Sequence, residues 1–114
     1  MAMKYDLEDR LIDFSNSVID FVEDLPNSYL SQYLGSQLMR SSISPALNYG
    51  EAQAAESSKD FVHKMKICLK ELRESMVCLK LFKKRNIAVT KLLQENNELI
   101  SIFYKSIKTA QSKL

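Results

Sequence analysis

The 114-residue sequence predicts an all-α protein, an antiparallel up-down-up-down four-helix bundle forming one domain over residues 1–114. Three observations carry that prediction. Only two Gly and two Pro occur, which leaves room for long helices and little room for hairpins. Apolar residues recur at steps of three and four along nearly the whole chain. The breaks between the periodic stretches are short, and short loops make consecutive helices antiparallel neighbours.

The first helix is expected from about Lys4 to Asp24, with Leu7, Leu11, Phe14, Val18, Phe21, Val22 and Leu25 on its buried stripe. Asp9, Asp13, Asp20 and Glu23 occupy the far side, and Pro26-Asn27-Ser28 ends the helix and starts the next. The second runs from about Ser28 to Ala55. Pro45 inside it removes a backbone donor, so a kink near Ser41–Pro45 is expected, or two helical pieces with Ser44 as N-cap. The third runs from about Ser58 to Lys84 behind a Ser57/Asp60 capping pair, with Phe61, Met65, Cys68, Leu69, Leu72, Met76 and Leu79 inward. Asn86 is suited to a turn. The fourth runs from about Ile87 to Lys113, with Val89, Leu92, Leu93, Leu99, Ile100, Phe103, Ile107 and Ala110 on one face.

Composition excludes several classes. No apolar run approaches the ~20 residues that span a bilayer, and no signal peptide opens the chain, so a cytoplasmic, membrane-free protein is expected. Cys68 and Cys78 lie ten residues apart on one helix, ~15 Å, too far to pair with each other. They read as small core residues or, alternatively, as sites of intermolecular oxidation. His63 is the one histidine, and Asp60-x-x-His63 is a single pair where helical-bundle metal sites repeat Glu-x-x-His. No zinc spacing, glycine-rich phosphate loop or nucleophile-histidine-carboxylate arrangement occurs. The expectation is a non-enzyme with no metal, no cofactor and no small-molecule substrate.

Two constellations stand out. On the second helix Gln37, Arg40, Ser41, Ser44, Asn48 and Glu51 share an arc of about 100° that begins apolar at Leu30, Tyr33 and Leu34. Ile43 and Leu47 flank it on one side, Leu38 and Tyr49 on the other, so more than one neighbour should cover this helix. Arg40 and Glu51 are too far apart to pair, and Glu71 or Glu74 on the third helix are candidate partners for Arg40. The seam reads as a polar network that fixes register or subunit contacts, with a ligand pocket as the other reading.

The second constellation is a cationic ridge. Lys59, His63, Lys66, Lys70, Arg73, Lys80 and Lys84 share an arc of about 100° on the third helix, opposite its core stripe, and Lys83 and Arg85 extend it. No acid interrupts the arc, and its length of ~37 Å could meet several phosphates. A charge imbalance accompanies it. Residues 1–56 hold three bases and nine acids, and residues 57–114 hold thirteen bases and five acids. Either the ridge binds RNA or DNA through the backbone with weak sequence preference, or it pairs with the acidic first helix, in the same or another subunit.

The stretch Gln37-Leu-Met-Arg40-Ser41-Ser42-Ile-Ser44-Pro-Ala-Leu-Asn48-Tyr-Gly-Glu51-Ala, with Lys59-Asp60-Phe61 and Leu69-Lys-Glu71-Leu72-Arg-Glu74, resembles the 23S rRNA intervening-sequence protein family of bacterial four-helix bundles. Ala52 stands where many members have Gly, so the end of the second helix is expected to differ locally. The resemblance implies an up-down bundle assembling as a ring-shaped homopentamer, without a defined biochemical role. It also implies an analogy to the accessory protein of diversity-generating retroelements, a similar bundle that binds nucleic acid.

Overall fold

A computed structural model describes residues 6–114, and its described residues form four helices and no strand. They are α1 (Leu7–Glu23), α2 (Tyr29–Gln53), α3 (Ser58–Lys84) and α4 (Thr90–Gln111). The part of the first helix expected at Lys4 lies outside the described residues.

Each helix start has a local cause. Asp6, Ser28 and Ser57 sit in extended backbone and accept from the amides of Asp9 (2.9 Å), Ser31 (3.0 Å) and Asp60 (3.0 Å). α4 begins at Thr90 rather than Ile87. The Ile87 amide turns back to the Phe82 carbonyl, and the Asn86 amide to that of Lys83. With Asn86 at φ 62°, this double closure is a Schellman ending that keeps Ile87 out of the next helix. Val89 then caps α4 without a side-chain acceptor and is itself buried, so its apolar position on the stripe is kept.

α2 is one unbroken helix of 25 residues that runs through Pro45. The expectation of two pieces with Ser44 as N-cap is therefore wrong. Tertiary packing outweighs the lost donor. Pro45 is buried, its carbonyl accepts from the Cys68 thiol at 3.5 Å, and α2 lies against both α1 and α3. Gly35 permits a close approach of α2 to α1, since a Cβ there would stand 3.0 Å from a Val22 methyl.

The core draws on all four helices. Leu11, Phe14 and Val18 of α1 meet Leu38 of α2, Met65, Leu72, Leu79 and Phe82 of α3, and Leu99 and Phe103 of α4. Phe21 packs edge-on against Phe82 at 5.2 Å, which places the C-terminal ends of α1 and α3 at the same end of the bundle. Of the four adjacent helix pairs, α1 and α4 are in the slightest contact, and Arg10 bridges that seam to Glu95 (2.8 Å) and Glu98 (2.7 Å). The bonds from Glu95, and then Glu98, hold the Arg10 guanidinium well above its ordinary pKa against the opposing pull of burial.

Buried hydrogen bonds join each consecutive pair of helices. Ser15 of α1 donates to the Ser42 carbonyl of α2 at 2.9 Å. The Ser41 and Ser75 hydroxyls, both 0% exposed, meet at 2.7 Å between α2 and α3. Asn96 of α4, also fully buried, donates to the Leu72 carbonyl of α3 at 3.0 Å, and its Oδ1 has no hydrogen-bond partner among the described residues.

Candidate nucleic-acid interface

α3 is amphipathic because its apolar residues repeat at steps of three and four, which turns the intervening bases outward. Lys59, His63, Lys66, Lys70, Arg73, Lys80, Lys83, Lys84 and Arg85 are all exposed. None of the nine enters an ion pair among the described residues. The last turn, with Lys83 and Lys84, also sits at the negative end of the helix dipole, a placement that favours bases on structural grounds alone. One feature of this face went unread in the sequence. Val77 and Leu81 lie on the same arc and are 58% and 49% exposed.

The seam on α2 is brought together differently. Ser41 is buried, Gln37, Ser44 and Asn48 are half-buried, and Arg40 and Glu51 are exposed. Arg40 donates to Glu71 at 2.9 Å and to Glu74, the two acids its position suggests. Those bonds, Glu74 first, raise its pKa from the ordinary arginine value. Glu51 accepts from Lys64 at 2.7 Å, and Asn48 donates to the Ser44 carbonyl and hydroxyl, each at 3.0 Å. The seam is thus not buried along its length. Its centre is a hydroxyl pair in the core, and its two charged ends lie near the surface, tied to α3.

Sequence reading missed Ser75 and Asn96, although each carries a legible signal. Ser75 falls three residues after Leu72 and Asn96 three before Leu99, both at core spacing. A groove of about 1000 Å³ lies past the end of the seam, where the α2–α3 turn meets the end of α4. Among the described residues no cluster of three His, Cys, Asp or Glu side chains could hold a metal ion. No helix there is long and apolar enough to cross a membrane. Both cysteines are buried and free. Burial pushes the Cys68 thiol up to about 12 and raises Cys78 as well.

Residues 4–109 match the 23S rRNA-intervening sequence protein family. The chain belongs to that family. A solved structure shares the fold: a protein of unknown function from the S23 ribosomal protein family of Bacteroides thetaiotaomicron, 23% identical, with a TM-score of 0.78. The alignment covers 90% of this chain and 99% of that one, so the four-helix arrangement spans the whole relative. No curated protein matches the chain. Membership in this family brings the fold and no described reaction.

Proposed function

We propose that this protein is a non-enzymatic, self-assembling bundle of the bacterial cytoplasm that associates with RNA or DNA through the basic face of α3. The observation that supports this reading is the row of nine exposed bases without an ion-pair partner among the described residues. A surface that only needs solubility mixes signs, whereas a one-signed row collects phosphates and releases their counterions. Lys59, His63, Lys66 and Lys70 form its wholly polar half, and Arg73, Lys80, Lys83, Lys84 and Arg85 continue it. Contacts of this kind read the backbone, so sequence preference is weak. The resemblance-based expectation of a homopentamer belongs to the same reading.

Fluorescence anisotropy with a short RNA and a DNA duplex tests it. Binding is expected at low salt, weakening about 10²-fold between about 50 and 200 mM salt if some four phosphates are neutralised. Replacing Lys59, Lys66 and Lys70 by Ala should flatten that salt dependence. No binding at low salt overturns the nucleic-acid role. The second reading, a scaffold whose charges serve assembly alone, is favoured by the exposed Val77 and Leu81, which phosphates do not need.

A further inference from the structure

The exposed stripes of α1 and α3 complement one another residue for residue. On α1, Asp13, Ser17, Asp20 and Asp24 succeed each other at steps of four, three and four, and all are exposed. On α3, Arg73, Val77, Lys80 and Lys84 repeat the same steps, again all exposed. Each set forms one narrow line on its helix. Set side by side in parallel, Arg73 meets Asp13, Lys80 meets Asp20 and Lys84 meets Asp24, with Val77 over the small Ser17.

The surroundings of the two stripes match as well. The acidic stripe borders a groove of about 630 Å³ between α1 and α4, floored by Phe14, Phe21 and Leu92, with Lys91 the base among its lining residues. Leu81, one turn beyond Val77, falls level with Phe21 in the same alignment. Complementarity stops below Arg73, where Lys70 would face Arg10.

Asp20 and Asp24 on one side, and Lys80 and Lys84 on the other, are open to solvent within a single chain, and these faces of α1 and α3 point away from each other there. α1 and α3 run in the same direction, and the Phe21–Phe82 contact sets these segments at the same end of the bundle. A second copy rotated about an axis along the bundle therefore presents α3 to α1 in parallel and at equal height. We propose that the Arg73–Lys84 stripe of one copy seats against the Asp13–Asp24 stripe of the next. This inference rests on the self-assembly part of the functional reading and names its surface. The contact is head-to-tail, so every copy both gives and receives it, and closure yields a ring. Lys59, His63, Lys66 and Lys70 stay outside it.

The test compares native masses of the wild type with two charge-reversed variants, Asp20→Lys/Asp24→Lys and Lys80→Glu/Lys84→Glu, and with all four changes in one chain. The wild type is expected as a multimer of the 13.1 kDa chain. Each reversed pair should fall to single chains with helicity intact by circular dichroism, and the fourfold variant should regain the wild-type mass. A monomeric wild type overturns both this inference and self-assembly. A multimer that survives both reversals, or a folded fourfold variant that stays single, overturns the inference alone. Should a reversed chain fail to fold, Ser17→Cys with Val77→Cys in one chain decides. Oxidation is expected to link copies into a ladder on denaturing gels, and a multimer without the ladder overturns the docking.

Discussion

Arg40 and Lys70 are both cations at the surface, and their surroundings divide the molecule. Arg40 is held by Glu71 and Glu74 from the neighbouring helix, one turn apart, above the buried Ser41–Ser75 contact. Lys70 and the other ridge bases face water without an ion-pair partner among the described residues. A charge answered inside the chain helps place two helices, and one left unanswered is available to another molecule. The α2–α3 seam is satisfied within the fold, whereas the α3 ridge has no ion-pair partner among the described residues.

That division should break most visibly at Ser75. Ser75→Asp puts an unpaired charge into the core where α2 meets α3, and a loss of about 3–5 kcal/mol is expected in urea melts. Alkaline pH acts next, through the cysteines. Cys68 ordinarily titrates near 9.0 and is raised to about 12 in the fold, with Cys78 raised too. The unfolded chain therefore loses those protons first. The Cys68 contribution is complete below pH 9.0 and is lost as pH rises toward about 12, with Cys78 acting in the same direction, so the urea midpoint should drop between about pH 9 and pH 12. Thiol reagents should label neither cysteine until the chain unfolds.

Ser41→Ala removes one half of the buried hydroxyl pair and should cost about 1–2 kcal/mol in the same melts. Arg40→Ala should lower the melting temperature slightly, because exposed ion pairs contribute little, while Glu71 loses its tie to α2. At the far end of the scale, Lys66→Ala with Lys70→Ala should move stability by no more than about 0.5 kcal/mol per site yet weaken nucleic-acid binding in the anisotropy assay. A ridge variant that destabilises the fold as Ser41→Ala does would erase the distinction between the two regions.

Most of the bundle was legible because its signals are periodic. Ser57 and Lys84 bound α3 where the cap and the turn residue Asn86 place them. Glu71 and Glu74 could be named in the sequence only as candidate partners of Arg40, and the fold brings both to it. Pro45 suggested two helical pieces as one alternative, but a local rule about one missing donor says nothing of the two helices packed along α2, which stays one helix through it. Ile87 misled for the opposite reason. Its apolar character fits α4, but its amide is drawn back to Phe82. The acidic and basic stripes were each visible as charge. Their equal steps acquire meaning only once α1 and α3 are known to point the same way at the same height.

That shared direction has a consequence for the shape of any ring built on the stripes. All copies would stand the same way up, so the particle would have two unlike rims. The rim at the α1 and α3 C-terminal ends would be occupied by subunit contacts. Toward the other rim, each copy would carry Lys59, His63, Lys66 and Lys70 on its α3. Repeated around the circle, these four would form a broken band of positive charge on one side of the particle only. A strand following that band would meet cations at intervals set by the width of one bundle, and its contour length around the rim, rather than its sequence, would decide how many copies it engages.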